Sequence, residues 1–166
     1  SDCEVLAAHN TEGDLFALKR LRPLPTDTDP LSRRGREAAL FEEYRTMLAV
    51  SSLRGFPRVY GYGVTRAGDP AILMEWIPGK TLLAAERAHD LPLCEDGSGC
   101  TGHAVAALAL GALQTLVSTS CLDGTFIHRD ISPRNIMVLP ANGDSGNVLD
   151  LRLIDLGSSI FMSRTE

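Results

Sequence analysis

Four short apolar runs in the first 77 residues, each bounded by turn-forming residues, point to antiparallel sheet in the opening half of this chain. Glu4-Val5-Leu6-Ala7-Ala8 and the run from Asp14 to Leu21 are joined through Asn10-Thr11-Glu12-Gly13, which predicts a β-hairpin. Residues 56–64 and 71–77 flank Ala67-Gly68-Asp69-Pro70 and predict a second antiparallel pair. Between the pairs, Pro23, Pro25 and Pro30 predict an irregular loop. Then, over residues 36–51, Leu40, Phe41, Tyr44, Met47 and Leu48 recur at three- and four-residue spacing, one stripe of an amphipathic helix. Glu43 falls within that stripe, whereas Glu42 points more towards solvent. An inward carboxylate calls for a cationic partner, because an unpaired buried charge is expensive; the alternative is a boundary residue that reaches water.

At Pro78-Gly79 the composition turns from strand-like to helix-like, so the chain divides into a unit of residues 1–77 and a unit of residues 78–166. The second unit should hold a short helix over 81–89, a polar loop over 92–102 and a long buried helix over 104–120. Short apolar segments follow at 126–128, 136–139 and 149–154, with a turn over 142–147. The fold class expected is α+β. The stretch 101–122 reaches membrane-spanning length, but it carries His103, Gln114 and several Ser and Thr, which favours a buried helix and no membrane partner.

With 166 residues, 44% of them hydrophobic, the chain can bury about two-thirds of the surface its unfolded form exposes, without help from disulfides or a structural metal. Its net charge of −5 argues against nucleic acid as the main partner. Cys3, Cys94, Cys100 and Cys121 form neither a CxxC pair nor a dense framework, so free thiols in a reducing compartment are expected. A small disulfide loop or a metal at Cys94 and Cys100 is the alternative. Nothing resembles a signal peptide, and the expected location is cytoplasmic.

Two acidic clusters carry the chemistry: His128-Arg129-Asp130-Ile131-Ser132-Pro133-Arg134-Asn135 and Leu153-Ile154-Asp155-Leu156-Gly157. Each sets a carboxylate in an irregular segment beside a short apolar strand. Asp130, Asn135 and Asp155 together make an oxygen-rich set suited to a hard ion such as Mg²⁺.

With these residues the chain resembles the protein kinase family, of eukaryotic-like Ser/Thr type. His128-Arg129-Asp130 with Asn135 looks like the catalytic loop HRDxxxxN, and Asp155-Leu156-Gly157 looks like DFG with Leu for Phe. Phe16-Ala17-Leu18-Lys19 looks like the strand carrying the V-A-I-K lysine, and Glu43 stands where its helical glutamate partner belongs. The resemblance implies an antiparallel small lobe with one helix and the first part of a mostly helical large lobe. It further implies transfer of the ATP γ-phosphoryl group to Ser or Thr hydroxyls of a protein substrate. Lys19, paired with Glu43, would hold the α- and β-phosphates; Asn135 and Asp155 would bind Mg²⁺; Asp130 would take or orient the proton of the attacking hydroxyl. Val5 and Ala17 would roof the adenine, Met137 would floor it, and Met74 would stand at the back. Glu75-Trp76-Ile77 would form the hinge, offering the Glu75 carbonyl and the Ile77 amide. Arg129 would read a phosphate on the segment that follows.

The chain also departs from the pattern. Ser132 replaces the lysine common two residues after the catalytic aspartate, and Arg134 stands near enough to substitute. Ser132-Pro133 is similar to the HxDxxPxN loop of small-molecule phosphotransferases such as aminoglycoside and choline kinases, which gives an alternative function. A catalytically weak ATP-binding or interaction module is another. Ser1 to Val5 aligns only with the tail of a Gly-rich loop, with Cys3 near its last glycine, and the chain stops at Glu166 before an APE motif. Apolar surface is therefore expected to lie exposed, to be covered by a partner or by self-association.

Overall fold

The structure, a computed structural model, describes residues 2–24, 30–88, 102–139 and 150–163. They form a mixed α+β fold with antiparallel sheets and few helices. Strands β1 (Cys3–His9) and β2 (Leu15–Leu21) make the expected hairpin. Its turn is held by the Asn10 side chain, whose Oδ1 accepts from the amides of Glu12 and Asp14 at 2.9 and 2.8 Å. Strands β3 (Val59–Val64) and β4 (Pro70–Glu75) form the second pair, and the sheet runs β1-β2-β4-β3. Strand β3 starts three residues later than the apolar run suggests, because Phe56 is spent on the core and Gly55 turns the chain at φ 97°.

Helix α1 spans Pro30–Val50, six residues longer at its start than the stripe predicts. Pro30, which the sequence places in the loop as a breaker, is the first helical residue, where a missing N–H costs nothing and its fixed φ suits the helix. The added turns carry no apolar stripe; one of them holds a surface Arg33–Glu37 ion pair of 2.9 Å at i,i+4 spacing.

After Pro78 come β5 (Lys80–Thr81) and α2 (Leu82–Arg87), capped by the Thr81 hydroxyl accepting from the Ala84 amide at 3.2 Å. Helix α3 (Gly102–Ser118) leads through a 3₁₀ turn, Thr119–Cys121, into β6 (Gly124–Ile127). Strands β7 (Ile136–Val138) and β8 (Leu151–Leu153), a second 3₁₀ turn (Leu156–Ser158) and β9 (Ile160–Ser163) complete the described chain. Two small sheets result, β5-β7-β8 and β6-β9.

The expectation that α3 is buried needs correction. Its inward face carries Thr115, Leu116 and Gly111, the last against the Leu151 side chain, while Leu110, Leu113 and Val117 are each more than half exposed. An apolar composition on all sides suggested burial, but among the described residues only one side of the helix is covered. No helix among them is long and apolar enough to cross a membrane. The polar loop over 92–101 with Cys94 and Cys100, and the turn over 142–147, lie outside the described residues.

One apolar cluster joins the parts. Leu21, Leu40, Met47, Val50, Phe56 and Ile72 from the first sheet and α1 pack with Ile136, Leu151, Leu153 and Leu156. The Leu153 amide donates to the Gly55 carbonyl at 2.8 Å across the same junction. A cleft opens where the four-stranded sheet faces β7 and the segment after β8.

Candidate functional site

Side chains alternate across β2, so Ala17, Lys19 and Leu21 share its buried face. Register adds neighbours to that face: Val5 lies opposite Lys19 on β1, and Met74 opposite Ala17 on β4. Val5, Ala17, Lys19 and Met74 wall a cleft of about 430 Å³ whose other side carries Met137, Asn135 and Asp155 and whose edge is Glu75-Trp76-Ile77. Of the residues singled out from the sequence, Val5, Ala17, Lys19, Glu43, Met74, Glu75, Ile77, Asn135, Met137 and Asp155 therefore line one space. Asp130 does not line it but is bonded to Asn135, which does. Val5 is more than half exposed at the mouth.

At the base of the cleft Lys19 Nζ donates to Glu43 Oε1 at 2.6 Å and to Asp155 Oδ1 at 2.8 Å. The three residues come from β2, α1 and the segment after β8, so a sheet, a helix and a turn meet at one ammonium. Side-chain exposure is 9% for Lys19, 5% for Glu43 and 49% for Asp155. Burial alone would lower the Lys19 pKa, yet the charges of Glu43 and then Asp155 hold it above its ordinary value. Burial pushes the Glu43 carboxyl up, with Lys19 opposing. For Asp155 burial works against the anion, but the Lys19 charge, its hydrogen bond and the Gly157 amide together bring the pKa below the usual carboxylate range. Gly157 matters sterically as well: a Cβ there would lie 3.3 Å from Glu43 Oε2.

The HRD segment is fixed from several sides. Asn135 Nδ2 donates to the Asp130 carbonyl at 3.1 Å and to its carboxylate at 2.8 Å. The amide nitrogen is thereby consumed, which fixes which end of the side chain is left to accept. The Ile154 amide donates to the Asn135 carbonyl at 2.9 Å, tethering the Asn135 loop to the residue before Asp155. Arg129 Nε donates to the Ser158 carbonyl, and Ser159 Oγ to the His128 carbonyl at 2.9 Å. Arg129 and Asp155 both hold positive φ, 64° and 60°. His128 is 2% exposed; its Nδ1 accepts from the Asp130 amide at 3.4 Å, and its Nε2 has no hydrogen-bond partner among the described residues. Burial pulls its pKa below the ordinary histidine value.

The sequence reading missed Met47, Pro57, Gly79, Ile154 and Leu156 in the cleft wall. In the sequence Met47 is one more residue of the apolar helix stripe, and Ile154 and Leu156 simply flank Asp155. Cys3 also lines the cleft, its thiol pKa raised by burial.

The Asp155 carboxylate and the Asn135 amide oxygen are the kind of donors a hard divalent cation takes. Among the described residues no group of three or more His, Cys, Asp and Glu suffices to hold a metal alone. Two protein oxygens fit a Mg²⁺ that shares its remaining positions with water and ligand phosphates. Compared with known proteins, the chain matches no family model and no curated protein.

Proposed function

We propose that this chain binds Mg²⁺-ATP in the cleft and transfers its γ-phosphoryl group to Ser or Thr hydroxyls of a protein substrate, as a serine/threonine protein kinase with a kinase-like two-lobe fold. The observation that carries the reading is the buried ammonium of Lys19 held between Glu43 and Asp155 at the base of an apolar cleft. One cation facing two carboxylates is a net negative site, which a polyphosphate enters only together with a divalent cation. Structural ion pairs have no need of such an opening beside them.

When bound, Mg²⁺-ATP supplies the electrophilic γ-phosphorus and takes the electrons of the broken P–O bond away on ADP. The chain's own residues position and neutralise. Ala17, Met74 and Met137 clamp the adenine, with Val5 at the mouth, and the Glu75 carbonyl and Ile77 amide read its edge. Lys19, oriented by Glu43, meets the α- and β-phosphates. Asn135 and Asp155 hold the cation. Asp130, exposed and oriented by the Asn135 amide, accepts the proton of the attacking hydroxyl. We propose a cytoplasmic location, where the free thiols of Cys3 and Cys121 would persist.

Millimolar Mg²⁺-ATP should raise the thermal midpoint, since a ligand at a hundred times its Kd adds about 2.7 kcal/mol. No shift at that concentration would sink the proposal. Phosphate incorporation into a generic protein substrate should disappear in Asp130→Asn; equal signal in both proteins would mean that the activity belongs to a contaminant.

A further inference from the structure

A second cleft, of about 390 Å³, lies behind the first. Strand β4 separates the two: Met74 faces the front cleft, so Glu75, one residue on, sends its side chain to the back. Phe16, opposite Glu75 on β2, packs edge-on against Tyr60 at 5.4 Å, and Tyr60 lines the rear space. The rest of its wall is the turn after α1, from Ser51 to Phe56, together with Arg58 and Arg152.

Three arginines thus line one small cleft of a chain whose net charge is −5. Arg152 is a fixed charge on the far wall, its Nη1 bonded to Asp150 at 2.7 Å and to the Leu151 carbonyl at 3.1 Å. Arg54 reaches the same Asp150 only at 3.8 Å and its side chain is 79% exposed. Arg58 has no carboxylate within ion-pair distance of its guanidinium among the described residues. Among the described residues Glu75 is the one acidic residue in the wall, and its Oε2 already accepts from the Arg58 amide at 3.0 Å. Ser51 Oγ accepts from the Val59 amide at 2.8 Å, which leaves its O–H to donate. Even with Asp150 and Glu75 counted against the three arginines, one positive charge remains among the described residues.

We propose that this rear cleft is a second binding site, for the dianionic phosphoryl group of a phosphate monoester, held by Arg58 and Arg54 with the Ser51 hydroxyl. Guanidinium forks match phosphate oxygens in pairs, and each such bond is stronger than a neutral one. Tyr60 offers an apolar wall for whatever carries the phosphate. The inference does not depend on the nucleotide reading of the front cleft.

The test is calorimetric titration of the full chain at low ionic strength with inorganic phosphate, O-phosphoserine, and a phosphoserine peptide beside its unphosphorylated form. Saturable, phosphate-dependent binding is expected. It should weaken about tenfold or more in Arg54→Gln/Arg58→Gln and persist in Lys19→Met/Glu43→Leu, which disables the front cleft. Both arginines are exposed, so an unchanged urea midpoint will show that the rear variant is folded. Tighter binding of the peptide than of phosphoserine assigns the site to a phosphorylated segment, and equal binding to a small phosphorylated molecule; either upholds the site. Unsaturable titrations, or equal affinity in the arginine variant, overturn it.

Discussion

Replacing Lys19 with methionine removes one charge and leaves another stranded. Glu43 has a 5% exposed side chain and takes its strongest hydrogen bond from Lys19 at 2.6 Å. Breaking a buried pair from one side costs about 3–5 kcal/mol, because the surviving charge keeps its desolvation penalty without its partner. The second contact, to Asp155, adds less than about 1 kcal/mol, since that side chain is half exposed and water replaces the ammonium. A cost of this size is a large fraction of the about 5–15 kcal/mol that holds a typical domain together. Removing both partners should undo it: Lys19→Met/Glu43→Leu should lie within about 1 kcal/mol of the parent or above it, as apolar replacements of buried pairs often do. Urea denaturation of the four proteins in a double-mutant cycle measures the coupling. The Lys19→Met penalty should also depend on pH. With no ammonium opposing it, burial holds the Glu43 pKa above its unfolded value, so stability is retained below the unfolded pKa and lost as pH rises through the folded one. The penalty should therefore be smaller near about pH 5 than near about pH 8. The double variant, stable again, should show no midpoint shift with Mg²⁺-ATP. A Lys19→Met penalty below about 1 kcal/mol with no coupling would refute the reasoning, because the pair would then have to be solvated rather than buried.

Asp155→Asn should reduce phosphate incorporation by about a hundredfold or more while shifting the urea midpoint little, its side chain being half exposed. His128, buried neutral with a depressed pKa, should make the fold less stable as pH falls below about 6.5, where the unfolded chain takes up a proton that the folded one resists. Urea midpoints across that range should slope less in His128→Phe, and equal slopes would clear the histidine of the effect. Gly79→Ala puts a Cβ 2.3 Å from the Val138 carbonyl oxygen, a backbone atom that cannot turn aside. It should cost about 1–3 kcal/mol in thermal denaturation, whereas Gly61→Ala, which meets open space, should not destabilise.

Much of this arrangement could be read from residue order. The strand pairs announced themselves because turn residues such as Asn10 and Gly68 sit between short apolar runs, and the inward Glu43 signalled a cation before any partner was visible. Pro30 misled because the same fixed φ that breaks a helix interior also starts one, and local sequence does not say which. The exposed side of α3 was hidden for a different reason: an all-apolar helix specifies that it can be buried, not that neighbours exist to bury it. Within the cleft, charged positions were easier to find than walls. Lys19, Glu43 and Asp155 have chemistry that demands company, but Met47, Pro57 and Leu156 are apolar residues like many others, and only tertiary packing turns them towards one space. The rear cleft was invisible, since Arg54, Arg58 and Arg152 lie far apart along the chain and no periodicity links them.

Arg129 and Asp155 stand in the left-handed backbone region at φ 64° and 60°. Aspartate tolerates that region better than most residues, but an arginine there is strained, at a cost of about 1–3 kcal/mol. Glycine would relieve both positions, so a library screened only for heat resistance should drift towards glycine at residue 129 and, more weakly, at residue 155. The survivors would tolerate heat better with their carboxylate gone or their loop slackened. Endurance and competence thus pull against each other at these two residues, and a screen for hardier variants would have to hold both fixed.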